Sequence, residues 1–239
     1  MKISLSIILA ICVSFAMAAK PTALKPIPKS TQIILITSAD FTTSNASLQR
    51  YELKSKKWQK VGNELKIKIG KNGMGWGLGL HKTPKDATII KKEGDGKSPI
   101  GIFQLGDAFG YEPFEVAYPY SVMKEYHHCV DDGKSRFYNQ IINSNMKMVK
   151  DYDSYENMKF PADYYKYGIV VKHNPNNVPR SGSCIFMHIK SIPTTGCDAM
   201  SEAEIKELII WLKPDANPLL IQAPQSEIKG LLEQAGVEI

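Results

Sequence analysis

From Gln32 onward the apolar positions recur with the period of a β-strand. "QIILIT" is a short apolar run, "LQRYEL" places Leu48, Tyr51 and Leu53 among polar neighbours, and "WQKVG" and "ELKIKIG" follow, the latter alternating Leu65, Ile67 and Ile69 with charged residues. Alternation of this kind predicts successive antiparallel strands with one wet face. "KNGMGWGLGL" carries Gly73, Gly75, Gly77 and Gly79 at every second position. No Gly-Lys-Ser/Thr ending follows, so it reads as a bulged strand approached closely by another backbone rather than as a phosphate cradle. After Pro99 an apolar strand is expected over Ile100 to Leu105. Phe109 to Tyr167 is aromatic-rich and irregular and predicts helices or loops decorating a sheet, and "GIVVKHN" and "SCIFMHI" return to strand character.

The period then changes to that of a helix. Ser201 and Glu204 form a capping box, Ile205, Leu208, Ile209 and Leu212 share one face, and Pro214 stops the segment. "PLLIQ" reads as a strand, and Ile228, Leu231, Leu232 and Ala235 as a last helix ending at Gly236. With no linker or repeat between these segments, the pattern predicts one β-rich α+β domain with peripheral helices.

The first eighteen residues stand apart. Lys2, the apolar run Leu5 to Phe15 and the small-x-small triplet Ala16, Met17, Ala18 match a secretory signal peptide, leaving residues 19–239 as the exported chain. Cys12 is a poor lipidation site, because Ile11 is too large for the position before it. Ala19 to Lys29, with three prolines, reads as an extended lead-in. No later segment offers the roughly 20 apolar residues that span a bilayer, so stable membrane insertion is not expected. The formal net charge of +6 is spread along the chain without a basic block or a nucleic-acid motif. It is a solvated surface with a mild attraction for an anionic envelope polymer.

Beyond the leader, Cys129, Cys184 and Cys197 remain, an odd number for an oxidising compartment. A strand over Ile185 to Ile189 would put Cys184, Phe186 and His188 on one face. Pro193 and Gly196 then turn the chain and bring Cys197 back just before the Ser201 helix. A thiol must become a thiolate to attack a carbonyl, a neighbouring imidazole can take its proton, and free amides at Gly196 and Cys197 can hold an oxyanion. The same two residues also fit a buried small hydrophobe and a satisfied core histidine. One Cys and one His make half a metal site, and "HHC" at His127 to Cys129 lacks a second cluster with zinc spacing, so no metal is expected. His173 reads as an exposed loop histidine, Asp131 and Asp132 as a solvated turn beside Gly133, and Tyr164, Tyr165 and Tyr167 as either groove lining or packing.

"GDGKSPIGIFQL" together with "GSCIFMHIKSIPTTGCDAM" resembles the catalytic domain of the L,D-transpeptidases, exported bacterial enzymes that remodel peptidoglycan. The matching positions are Gly96, Lys97, Ser98, Pro99, Gly101 and Phe103, then His188, then Thr194, Thr195, Gly196 and Cys197. The resemblance implies a mixed β-sandwich with peripheral helices, Cys197 as nucleophile, His188 as base and the Gly196 amide at the oxyanion. It also implies substrate contacts at Thr194 and Thr195, no cofactor, and peptidoglycan stem peptides in the periplasm or cell envelope as partners. Thr195 stands where the family commonly has histidine, the interval from His188 to Cys197 is short, and Asp198 and Ala199 displace the usual following arginine. Arg180 or a nearby lysine is then the candidate for the substrate carboxylate. For the sulfurs the resemblance implies a reduced Cys197 and a disulfide between Cys129 and Cys184, with Cys184 to Cys197 as the rival pairing. An L,D-carboxypeptidase with the same site, a non-catalytic wall-binding protein and a general cysteine peptidase are the competing readings. The last lacks the "C-G-S-C-W" signature of the papain type.

Overall fold

A computed structural model describes residues 26–147, 149–159 and 161–239; the leader expected over residues 1–18 lies outside them. The chain begins as an antiparallel meander of β1 (Gln32–Ser38), β2 (Asn45–Lys54) and β3 (Lys57–Lys68). "WQKVG" and "ELKIKIG", expected as two strands, form one. Gly62, at φ +67°, carries β3 through the register shift opposite Leu48 and Arg50. A Cβ there would lie 2.4 Å from the Arg50 guanidinium, so glycine both takes the left-handed turn and leaves room for the buried arginine, which reaches Glu207 at 2.5 Å.

β4 (Met74–Trp76) runs beside the start of β5 (Ser98–Gly110), and the glycine run between them is a close backbone approach, as the spacing predicts: a Cβ on Gly79 would lie 2.4 Å from the Ile102 carbonyl oxygen. The aromatic middle segment holds short strands where helices or loops were expected. β6 (Tyr120–Val122) pairs with β5, while β7 (His127–Val130), β8 (Ile141–Asn143) and β9 (Tyr155–Asn157) make a separate sheet in the order β8-β7-β9. This small sheet is called the cap below. The chain returns through β10 (Tyr167–Val171), β11 (Phe186–Ile189) and β12 (Asp198–Met200), then α1 (Glu202–Trp211), β13 (Leu219–Pro224) and α2 (Gln225–Ala235).

The architecture is β-rich with two α-helices among the described residues. Its strands do not form two facing sheets with free edges, as a sandwich would. The order β10-β11-β12-β3-β2-β1-β13-β5 closes on itself because β10 also pairs with β5, giving an eight-stranded ring. Closure leaves no unpaired edge in the ring. Successive residues of a strand point to opposite faces, yet Ile33 and Ile34 are both fully buried, so β1 is covered on both sides. One large apolar cluster joins ring residues to Ile205, Leu208, Ile209 and Leu212 of α1 and to Leu231 of α2. Each such side chain contributes roughly 1.5–3 kcal/mol on burial. Ser201 caps α1 with the expected box: its side chain accepts from the Glu204 amide and the Glu204 carboxylate from the Ser201 amide. Gly236 ends α2 in the left-handed region.

A second, smaller cluster lies between the ring and the cap and holds Phe109, Tyr165, Phe186 and all three described cysteines. Cys129 of β7 and Cys184, two residues before β11, form a disulfide with Cα atoms 6.0 Å apart, and Cys197 is free. This is the pairing the family resemblance implied. Asn139 strengthens the same junction, accepting from the Cys184 amide at 3.0 Å and donating to the carbonyls of His173 and Asn174.

Candidate active site

β11 and β12 are parallel neighbours, with His188 opposite Ala199 and Met187 opposite Asp198. Met187 and Met200 belong to the large cluster, whereas Phe186, Cys184 and Cys197 belong to the cap-side cluster. Alternation therefore turns His188, like Phe186, toward the cap, on the side where the Cys197 sulfur lies. On the next strand Gly168 pairs with both His188 and Phe109, and its missing side chain makes room for the Phe109 ring, 2.3 Å from where a Cβ would be.

The loop from Thr194 to Cys197 is pinned by the earlier motif. Ser98 Oγ contacts the carbonyls of Gly196 and Cys197 at 2.9 and 3.1 Å and accepts from the Gly70 amide at 3.0 Å. Thr194, fully enclosed, donates to the Cys197 carbonyl at 2.6 Å and accepts from the Gly196 amide at 3.1 Å. Its backbone is held between Ile69 and Lys71. Gly196 has φ +151°, and a Cβ would approach the Lys97 carbonyl to 3.1 Å. A larger residue would therefore meet backbone strain and crowding at once.

These contacts locate the remaining sequence candidates. Thr194 is a clamp inside the loop, the Gly196 amide is already taken by that threonine, and Thr195 is exposed beside it. Arg180 is exposed in a left-handed turn, with its carbonyl bonded to the Glu93 amide. His173 is buried, contrary to its expected place on an exposed loop. Nδ1 accepts from the Leu78 amide, and Nε2 sits 2.9 Å from the Ser181 carbonyl. Its ring packs edge-on to Phe103, which makes it part of the scaffold.

The Cys197 sulfur accepts from the Phe186 amide at 3.3 Å and lies 3.5 Å from the Cys184 carbonyl. His188 Nδ1 is 3.1 Å from the Ile189 carbonyl oxygen. That oxygen can only accept, so the ring donates to it, and the Tyr164 carbonyl is a second acceptor for the imidazole. No hydrogen bond joins the sulfur to the imidazole in this state. Their common neighbour is Tyr165, whose ring stands edge-on to His188 at 5.2 Å and to Phe186 at 5.5 Å. Its hydroxyl donates to the Glu156 carboxylate of β9.

Burial dominates the electrostatics. It pushes the Cys197 thiol well above its ordinary range, with the Glu156 carboxylate adding to the effect and the Phe186 amide opposing it. It pushes His188 down to about 4 against the pull of the Ile189 carbonyl, so thiol and imidazole are both neutral at pH 7. Glu156 is raised to about 7, first by burial, while the Tyr165 hydroxyl holds it back. Asp198 is also raised to about 7 by burial. The Ser98 hydroxyl offers it little, since that single proton is directed at the Gly196 and Cys197 carbonyls. Neither Asp198 oxygen has a hydrogen-bond partner among the described residues.

A cavity of about 450 Å³ adjoins this wall and is lined by Phe109, Val170, Cys184 and Phe186 together with Asp107 and Asn139. The pattern did not single out Glu156, and it left Tyr165 between groove and packing. A carboxylate in a β-strand among aromatic residues is a weak signal, and only the register of β9 opposite Cys129 makes it one. Among the described residues no helix is long and apolar enough to cross a membrane.

No protein-family profile matches the chain, and no curated protein matches it. Among solved structures it is similar to the helical cell shape determining protein Pgp2 from Campylobacter jejuni, with 16% identity and a TM-score of 0.43. The match covers 84% of this chain and 50% of that one, so the chain spans about half the length of Pgp2. A likeness this slight carries no argument about activity.

Proposed function

We propose that residues 19–239 form one exported catalytic domain of the L,D-transpeptidase type, acting on peptidoglycan stem peptides in the periplasm or cell envelope. One observation carries this reading: among the described residues Cys197 is the free thiol, on the same cap-facing side as His188, while Cys129 and Cys184 are consumed in a disulfide. The His188 imidazole takes the thiol proton as Cys197 attacks the carbonyl joining the diamino acid to the terminal D-alanine. The C–N bond breaks, D-alanine leaves with that proton on its amine, and a thioester remains. An amine of a second stem resolves it, with His188 now receiving the amine proton and returning it to sulfur. Water in place of the amine gives an L,D-carboxypeptidase. The chemistry needs neither metal nor organic cofactor.

In this mechanism the Phe186 amide, already on the sulfur, favours the thiolate. The Gly196 amide serves the oxyanion once Thr194 releases it, Thr195 meets the substrate at the loop surface, and Arg180 is the candidate cation for its carboxylate. The sulfur and imidazole come into register on substrate binding, as catalytic hydrogen bonds often do. The purified protein incubated with tetrapeptide muropeptides should release D-alanine, with cross-linked dimers marking transpeptidation and bare tripeptide marking hydrolysis by mass spectrometry. Cys197→Ala should abolish either product, and His188→Ala should lower the rate by about 10²–10⁴-fold, the usual contribution of a general base.

The burial of the thiol and its raised pKa favour one other reading, a wall-binding protein that keeps the site without turnover. Muropeptide binding with no Cys197-dependent product and no labelling of Cys197 by thiol-reactive acyl probes would establish it.

A further inference from the structure

Two of the ties that connect the cap to the strands carrying Cys197 and His188 are neighbours. The disulfide leaves β7 at Cys129 and lands on Cys184, whose carbonyl lies 3.5 Å from the Cys197 sulfur. Directly opposite Cys129 in the cap register is Glu156, and its carboxylate receives the Tyr165 hydroxyl. Tyr165 precedes β10, and its ring is wedged edge-on against Phe109 at 6.0 Å, Phe186 at 5.5 Å and His188 at 5.2 Å. The proposed mechanism has no use for this half-buried acid and the buried phenol it holds. A carboxylate at the edge of the apolar cluster that holds a thiol which must ionise needs a reason, since its charge opposes the thiolate.

We infer that Glu156 and Tyr165 are positioning residues for the Cys197–His188 site: Glu156 holds the Tyr165 hydroxyl from the cap, and the ring so held sets the plane of the imidazole and closes the cap side of the site. The inference rests on reading Cys197 and His188 as the reactive pair. The groups that face Glu156 are Tyr165, Asp131, Glu93 and Lys190. Those that act on Cys197 are Glu156, Asp198 and Lys91, and Cys197 in turn acts on Tyr165. Glu93 is itself engaged by the Tyr138 and Ser183 hydroxyls. The cap carboxylate that acts on the sulfur is thus the one that receives the Tyr165 hydroxyl. It adds to the burial that keeps Cys197 a thiol at rest, so removing that charge favours ionisation of the sulfur.

The test uses the full chain with its disulfide intact and needs no turnover. Glu156→Gln keeps an acceptor for the hydroxyl but removes the charge; Tyr165→Phe keeps the ring but cuts the tie. Alkylation of Cys197 by iodoacetamide is followed against pH, with Cys197→Ala as blank, and the His188 ring is titrated by NMR. In Glu156→Gln the alkylation midpoint should move to lower pH, raising the rate at pH 8 by about threefold or more, which corresponds to half a pKa unit. In Tyr165→Phe the His188 midpoint should rise toward its ordinary range. Unmoved alkylation and His188 titrations in folded Glu156→Gln and Tyr165→Phe would overturn the inference; if Tyr165→Phe does not fold, Glu156→Gln alone decides. Unmoved profiles with muropeptide turnover preserved would leave the proposed function standing without this pair. Moved profiles in a protein that turns over no muropeptide would support the pair and sink the proposed function.

Discussion

The ring and the cap are held together by different physics. In the ring, strands of seven to thirteen residues such as β1, β2, β3 and β5 pair along their length, and both faces of β1 are buried. Its stability is collective, spread over many apolar side chains. The cap strands are three or four residues long, and beside the small apolar cluster at the seam they are fastened by discrete ties: one disulfide, Asn139, the Tyr138–Glu93 hydrogen bond and the Glu156–Tyr165 hydrogen bond. Collective burial resists local change, whereas point ties can be released singly. The candidate site sits on the seam, with its reactive groups turned toward the part of the molecule that can give way.

That contrast is broken most severely from the ring side. Phe103 is fully buried in β5, edge-on to both His81 and His173. Phe103→Ala should cost about 3–5 kcal/mol, and in denaturant titrations ring and cap should melt together, because the cap has little core of its own. Cap amides that keep their hydrogen-exchange protection after the ring has melted would refute the dependence. Cutting the disulfide sharpens the contrast from the other side. Cys129→Ser with Cys184→Ser should cost about 2–4 kcal/mol, and the loss should be local: faster exchange over β7, β8 and β9, with β1 and β13 amides unchanged. Equal acceleration in both regions would mean that the cap is part of the ring's cooperative unit.

The ring was largely legible in the residues and the seam was not, for the same physical reason. Long strands and α1 write their faces into the period of the apolar positions, so the Gln32 strand, the Ser201 capping box and the Gly236 stop all appear where the pattern places them. Closure did not appear, because the pairing of β10 with both β11 and β5 is a long-range choice that leaves no periodic mark. The cap strands are too short for periodicity, and their aromatic residues read equally as loop. At the site, the motifs around Ser98 and Cys197 were visible as spacing. What brings them together, Ser98 Oγ on the Gly196 and Cys197 carbonyls, is a tertiary contact. His173 was misplaced because turn residues surround it, although its ring reaches back into the core.

The smallest of the expected effects tests the seam across a single peptide bond. Cys197 faces the cap cluster, while its neighbour Asp198, opposite Met187, faces the large apolar cluster with no hydrogen-bond partner for its carboxylate among the described residues. Burial raises Asp198 from an ordinary 3.8 to about 7. In the unfolded chain the group ionises near 3.8, and in the folded chain it keeps its proton until about 7. Its contribution to stability is therefore whole below the unfolded value and is lost as pH rises through the folded one. Glu156, raised to about 7 from 4.5, tilts the curve in the same direction. Asp198→Asn removes the ionisation while keeping the shape, so it should stabilise the protein by about 1–3 kcal/mol at pH 8, the usual cost of an unmet buried polar group, and by little at pH 4. Urea midpoints of both proteins at the two pH values decide it. A variant less stable than the parent at pH 8 would mean that the carboxylate is paired when ionised, and that the large cluster, like the cap, depends on a point tie at this position.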